Sequence, residues 1–174
     1  MEYRLPSNDQ MNANATHYGI LGGMIAKTTG PIVEFGLGHY STPLIHYLCQ
    51  NRKAVSVETN REWTKYFEAR FGNESHEFYC TENRLISTAF FSNSKYNEVM
   101  WGVAFIDNGP DADRVKIIRN VRQKAKYIVV HDSEPGAVSY GWGDVFDTFK
   151  YKLYDDFWGN GTTVVSDVEE IGLK

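Results

Sequence analysis

Residues 31–42, Pro-Ile-Val-Glu-Phe-Gly-Leu-Gly-His-Tyr-Ser-Thr, decide how this chain is read. A short apolar run, Ile32 to Phe35, carries one acid, Glu34. It breaks into Gly36-Leu37-Gly38 and passes into a helix opened by Ser41 and Thr42. Glycines between a strand and a helix let a ligand lie against bare backbone at the strand's carboxyl end. A second apolar run, Ala54 to Val57, ends in another acid, Glu58. It stands about 20 residues beyond the turn, the offset at which a carboxylate can grip a ribose diol. Together the two features point to a nucleoside-bearing cofactor.

Outward from that turn, strand and helix signals alternate. A helix is predicted from about Asn12 through Lys27, stopping at Thr28-Thr29-Gly30-Pro31, with a polar arm before it. The helix after Gly38 is expected over about Ser41 to Asn51. Asn60 is an N-cap for a helix carrying Trp63, Tyr66, Phe67 and Arg70, which Gly72 ends. Strands are predicted at His76–Cys80, Met100–Ile106 and Tyr127–Val130. A helical or irregular stretch is expected over Arg84–Ser92, and a helix over Asp113–Lys124 with Val115, Ile118 and Val121 on one face. Two strand-like runs, Phe149–Asp155 and Thr162–Asp167, flank the hairpin chemistry of Phe157-Trp158-Gly159-Asn160-Gly161. The pattern predicts an α/β sandwich whose mostly parallel sheet ends in an antiparallel β-hairpin.

The 174 residues read as a single domain, with 1–30 an N-terminal arm and helix and 31–174 the core. A hydrophobic content of 42% is too high for a disordered chain. No apolar run reaches the roughly 18 residues of a membrane span, and the N-terminus lacks a basic segment followed by an apolar one. With two cysteines, Cys49 and Cys80, this reads as a cytoplasmic protein of a reducing compartment without a membrane partner. A net charge of −4 offers no basic surface for a phosphate backbone, so nucleic acid is not the expected partner.

Val33-Glu34-Phe35-Gly36-Leu37-Gly38 resembles motif I of the class I S-adenosylmethionine-dependent methyltransferases. Phe35-Gly36-Leu37-Gly38-His39-Tyr40-Ser41, with Val57-Glu58 and Trp63, is similar in particular to the opening of polysaccharide O-methyltransferases of the glucuronoxylan type. The resemblance spans residues 31 to 165 and implies a Rossmann-like methyltransferase sandwich that binds S-adenosylmethionine. It also implies that Glu34 orients the methionine amino end, that Gly36 and Gly38 pack against the cofactor and that Glu58 holds the ribose. Glu82, after Thr81, would sit near the adenine amino group. His39 stands in the turn where the methionine carboxylate would lie. Ser41 and Thr42 are helix-start hydroxyls of the same set, with capping as their simpler role. A nicotinamide dinucleotide fits less well. Ser41 stands where the third glycine of its fingerprint would be, and no Tyr is followed four residues later by Lys.

Ligands of open α/β sheets gather outside the strands' carboxyl ends. There the chain places Asp107-Asn108-Gly109-Pro110 and His131-Asp132-Ser133. Methyl transfer to a hydroxyl is an in-line displacement that needs alignment and a base or cation for the developing alkoxide. Asp107 and Asp132 resemble the metal-binding acids of catechol-type O-methyltransferases and would hold Mg²⁺, although Ser133 stands where that family has Asn. His131 is the candidate base, its simpler role being a strand-end structural histidine. His17, His46 and His76 read as structural. Beyond them Tyr140, Trp142, Phe146, Phe157 and Trp158, with Gly136, Gly141 and Gly143, suggest a loop over the site suited to a sugar ring or aromatic acceptor. Asp107-Asn108-Gly109-Pro110 is not the motif with which nucleic-acid N-methyltransferases sandwich a base. The expected activity is O-methylation of a carbohydrate or other small-molecule acceptor. The alternatives are methylation of nucleic acid or protein, or a non-catalytic S-adenosylmethionine-binding module.

Overall fold

The computed structural model describes residues 14–136, 138–157 and 159–172. The expected polar arm up to residue 13, the helix start near Asn12 and Trp158 lie outside the described residues. In chain order the elements are α1 (Tyr18–Ala26), β1 (Ile32–Phe35), α2 (Ser41–Leu48), β2 (Ala54–Glu58), α3 (Arg61–Phe71) and β3 (His76–Cys80). They continue with α4 (Ile86–Ala89), α5 (Ser94–Asn97), β4 (Trp101–Ile106), α6 (Arg114–Val121), β5 (Ala125–Val130), β6 (Tyr151–Asp155) and β7 (Thr162–Ser166). Short 3₁₀ turns at Asp111–Asp113, Val138–Tyr140 and Val145–Thr148 punctuate the second half.

The seven strands form one sheet in the order β3-β2-β1-β4-β5-β7-β6. β1 to β5 run parallel, and β7 pairs antiparallel with both β5 and β6. The expected sheet with its closing hairpin is therefore the observed one. Its buried strands carry apolar side chains on both faces, because helices cover both. Val33, Phe35, Ala104, Ile106, Ile128 and Val130 face a core with Ile117, Ile118 and Phe90. Ile32, Val103, Phe105, Tyr127 and Val129 face the opposite core with Leu21, Met24, Leu44 and Ile45 of α1 and α2. The period of two along each strand produces this division. It also makes Glu34 an exception, a fully buried carboxyl among apolar strand residues.

Differences from the sequence expectation lie at element ends. α1 starts at Tyr18 because Ala15–His17 form a turn, closed by Tyr18 N–H donating to the Ala15 carbonyl (2.9 Å). The stretch Arg84–Ser92 contains only the single turn α4, and α6 ends at Val121 rather than Lys124. Asn60 does cap α3, accepting the Trp63 N–H at 3.0 Å. No helix of the described residues is long and apolar enough to cross a membrane.

Candidate active site

The order of the strands reverses between β1 and β4, where α/β sheets bind their ligands. Phe35 lies beside Ile106, and Ile106 beside Val130, so the next residues out, Gly36, Asp107 and His131, stand in a row. The ladder continues through them: Asp107 N–H donates to the Phe35 carbonyl (2.8 Å) and His131 N–H to the Ile106 carbonyl (3.1 Å). Gly36 has φ +93°, and a Cβ there would stand 2.5 Å from the Asp107 carbonyl oxygen and 2.7 Å from the Asn108 Cα. Only glycine permits both that backbone conformation and that approach.

Glu34 lies beneath the turn. Thr42 Oγ1 donates to its carboxylate at 3.0 Å, and Ser56 Oγ donates at 2.5 Å. Thr42 Oγ1 also accepts the Gly38 N–H at 3.1 Å, so one hydroxyl ties the acid to the second glycine. Burial pushes the Glu34 carboxyl up to about 7, against the pull of the hydroxyls around it. Ser41 is buried as well. His39 packs against Trp63, Tyr66 and Phe67 of α3, with ring centroids 5.0, 5.8 and 5.2 Å away. Burial holds its imidazole below the usual histidine range, with the Arg70 charge adding to the effect. Glu34 and Thr42 thus have internal partners that set the shape of the turn.

Glu58 faces the turn from the end of β2. Its Oε1 accepts from Thr59 N–H (2.7 Å), Thr59 Oγ1 (3.0 Å) and Asn60 N–H (2.9 Å). Its Oε2 accepts the Leu37 N–H at 3.3 Å, the one partner of that oxygen among the described residues. Trp63 Nε1–H donates to the Leu37 carbonyl at 3.0 Å, so both sides of Leu37 are clamped. Glu82 is on the surface with φ +53°, 3.5 Å from Arg61. Both amide atoms of Asn108, a 2% exposed side chain, are buried without a hydrogen-bond partner among the described residues.

At the ends of β4 and β5 the expected trio comes together around the guanidinium of Arg114, from the first turn of α6. Arg114 is 4% exposed. It donates to Asp107 Oδ1 (3.0 Å), the Asn108 carbonyl (2.7 Å) and the His131 carbonyl (2.9 Å), with Asp132 Oδ2 3.9 Å away. His131 Nδ1 lies 3.3 Å from Asp107 Oδ2 and 3.6 Å from Asp132 Oδ1, off the line of a hydrogen bond. Burial pushes Asp107 up, but His131 and Arg114 outweigh it and hold the carboxyl below its usual range. Burial works against a charged His131, and the two aspartates reverse this and raise it. Asp132, at φ +52°, also accepts from Asn160 Nδ2 (2.7 Å) and Tyr140 Oη (3.4 Å).

The Mg²⁺ expected between Asp107 and Asp132 is not supported, because the Arg114 guanidinium supplies the positive charge beside both carboxylates. Ser133, where catechol-type enzymes have a ligand amide, turns inward and donates to Thr163 Oγ1 (2.8 Å) and the Gly161 carbonyl (3.2 Å). His17 joins the cluster from the turn before α1. Its ring centroid is 4.5 Å from that of His131, and Thr16 Oγ1 lies 2.9 Å from His131 Nε2. Burial first, then the His131 charge, depresses the His17 imidazole to about 3.

The Tyr140 ring lies between the Arg114 guanidinium, 4.7 Å from its centroid, and the Trp142 ring, stacked at 4.9 Å. Past Trp142 opens a cavity of about 580 Å³ lined by Ser133, Glu134, Trp142, Phe146, Lys152 and Tyr154. Glu134 Oε2 and Trp142 Nε1, in its wall, are buried without a hydrogen-bond partner among the described residues. The spacing of Asp107 and Arg114 at a helix start was the signal in the sequence for the central cation. His17 had none, since 114 residues separate it from His131.

No protein-family model matches the chain, and no curated protein matches it. Solved structures do. One is a candidate caffeoyl-CoA O-methyltransferase from Staphylococcus aureus (TM-score 0.65, 12% identity, covering 94% of this chain and 85% of that one). Another is CalS11, a TDP-rhamnose 3′-O-methyltransferase of calicheamicin biosynthesis (0.63, 13%, covering 92% and 81%). A third is the N-terminal domain of human METTL16 in complex with SAH (0.64, 9%, covering 97% and 74%). In strand order, in the antiparallel last strand and in these likenesses, this chain has the fold of the class I S-adenosylmethionine-dependent methyltransferases.

Proposed function

We propose that this protein transfers a methyl group from S-adenosylmethionine to a hydroxyl of a small acceptor, a sugar being the class that fits best. The observation that carries this reading is the row Gly36–Asp107–His131, which sets an acid and an imidazole beside the cofactor turn.

The residues present fit the cofactor. Glu58 Oε2 retains acceptor capacity toward a ribose diol, and the buried Asn108 amide has donor and acceptor atoms to offer. Gly36 and Gly38 put no side chain between the turn's backbone and a ligand. When bound, S-adenosylmethionine supplies an electrophilic methyl group on a sulfonium. The chain's own residues do the rest. Arg114 fixes Asp107 and Asp132 relative to the sheet, Thr16 holds the His131 ring at Nε2, and the two carboxylates flank its Nδ1. The neutral imidazole can take the acceptor's hydroxyl proton at Nδ1 as the alkoxide develops. Burial of His131 keeps water from competing for that position.

The acceptor reading rests on the cavity beyond Trp142. Its volume of about 580 Å³ falls within the roughly 300–1,000 Å³ of small-molecule sites. Aromatic faces beside Glu134, Lys152 and a free indole N–H suit a ring that carries hydroxyls. The solved O-methyltransferases of similar fold, one of which acts on TDP-rhamnose by its name, lend the same direction. The test is release of S-adenosylhomocysteine from S-adenosylmethionine with pooled nucleotide sugars, free sugars and phenols, against nucleic acid and peptide pools. Turnover with the first set supports the reading. Turnover only with nucleic acid or peptide overturns the acceptor class, and cofactor binding without turnover on any pool overturns the activity.

A further inference from the structure

The imidazole of His17 has no place in the reaction just described. It is 2% exposed, packed 4.8 Å from the Phe105 ring and 4.5 Å from the His131 ring. Among the described residues neither of its ring nitrogens has a hydrogen-bond partner. Buried polar groups in folded proteins are almost always partnered, so a histidine with two unused nitrogens calls for a ligand. His131 Nδ1, equally buried, also lacks a hydrogen-bond partner and points the same way.

We propose that His17, Asp107 and His131 form a binding site for a divalent first-row transition metal, Zn²⁺ or Co²⁺ in kind, distinct from the Mg²⁺ expected between two aspartates. One ligand atom from each of the three lies within 4.8 Å of the other two. Around a tetrahedral ion with bonds near 2.0–2.1 Å, neighbouring ligand atoms stand about 3.3 Å apart, so side-chain rotations closing at most about 1.5 Å assemble the set. Two imidazole nitrogens and one carboxylate oxygen select zinc, cobalt, nickel or iron; Mg²⁺ takes oxygen ligands and releases its water reluctantly.

The surroundings are those of ligand-orienting partners. Thr16 Oγ1 stands 2.9 Å from His131 Nε2, and the tautomer in which Nε2–H donates to that hydroxyl leaves the Nδ1 lone pair for the ion. Arg114 occupies Asp107 Oδ1 and leaves Oδ2 for the ion. Two carboxylates face the single Arg114 guanidinium, so an ion that displaces the His131 proton takes over a positive charge already balanced there. An ion there would commit His131 Nδ1, and activation of an acceptor hydroxyl would pass from imidazole to metal. That consequence rests on the methyltransferase reading, whereas occupancy of the site does not.

The test uses the full chain, stripped with chelator and titrated calorimetrically with Zn²⁺ and Mg²⁺ and optically with Co²⁺. The expected result is one equivalent of Zn²⁺ bound, at least about 100-fold more tightly than Mg²⁺, and visible d–d absorption with Co²⁺. Losing an outer-shell partner costs 10–100-fold in metal affinity, so His17→Gln and His131→Gln, as direct ligands, should lose about 100-fold or more. His46→Ala, outside the set, should keep binding within about tenfold, and circular dichroism checks that each variant folds. Stoichiometric Zn²⁺ absent from the folded wild-type chain, binding unchanged in folded His17→Gln, or Mg²⁺ bound as tightly as Zn²⁺ would each overturn the site. Titration of the same samples with S-adenosylhomocysteine reports separately on the cofactor reading.

Discussion

Ser56 Oγ donates a hydrogen bond to Glu34 Oε2, linking the acid of the glycine turn to the neighbouring strand. Behind Ser56, His76 Nε2 lies 2.8 Å from the same hydroxyl, and His46 Nδ1 lies 3.3 Å from His76 Nδ1. With Glu34 ionised the hydroxyl proton is committed to the carboxylate, so His76 donates from Nε2. The fully buried acid beneath the glycine turn is thus the end of a polar chain leading outward through two histidines.

That setting makes stability depend on pH through Glu34. Its carboxyl titrates at about 7 in the folded protein against 4.5 unfolded, so between those values the folded state binds more protons. Stability from this group therefore falls as pH rises from 4.5 through 7 and is level above. Glu34→Gln removes the dependence. Chemical denaturation at pH 5 and pH 8 should find the variant's stability, relative to wild type, improving by about 2–3 kcal/mol over that interval. A difference that does not change with pH would show the carboxyl to be ionised throughout.

Gly36→Ala should be among the least tolerated changes in the chain. The added methyl meets the Asp107 carbonyl at 2.5 Å in a backbone conformation that alanine avoids. A loss of about 2 kcal/mol or more is expected from strain alone. Gly109→Ala, whose Cβ meets nothing within 4 Å, serves as the control in the same thermal-melt series.

Glu58→Ala should weaken binding of S-adenosylmethionine by about 1–3 kcal/mol, because in the proposed site it removes the charged acceptor for the ribose diol. It also frees the Leu37, Thr59 and Asn60 amides, so the melting temperature should fall as well. Calorimetric titration of S-adenosylhomocysteine into the folded variant separates the two effects. Undiminished affinity would move the ribose elsewhere.

Arg114→Met should destabilise the protein by about 3 kcal/mol or more, since Asp107 and Asp132 lose their buried counter-charge and two carbonyls lose a donor. Pairing that change with Asp107→Asn should recover part of the loss by removing one stranded charge. Additive losses in the double-mutant cycle would mean that the pair is not coupled.

His131→Ala should lower kcat on the true acceptor by about 10²–10⁴-fold while S-adenosylhomocysteine binds as before. Equal losses in kcat and cofactor affinity would place the histidine at the cofactor instead.

Much of the fold was legible because it is encoded locally. The apolar runs at Ile32–Phe35, Ala54–Val57 and Tyr127–Val130, the Asn60 cap and the Gly36-Leu37-Gly38 turn each declare themselves within a few residues. Their alternation leaves few sheet topologies open. The acids Glu34 and Glu58 and the strand-end cluster Asp107, His131 and Asp132 were readable for the same reason, since their places follow from where each strand stops.

Sequence by itself determined the elements, the glycine turn and the residues that strand ends present. Tertiary structure alone decided how those residues are partnered. It put Ser56 and Thr42 on the buried Glu34, the Leu37 amide on Glu58, the Arg114 guanidinium between two aspartates, and Thr16 and His17 against His131. Periodicity and capping are properties of neighbours along the chain, whereas these contacts join segments separated by as many as 115 residues. They exist because the strand order sets β1, β4 and β5 side by side and α1 packs over the same face, a placement no local pattern encodes.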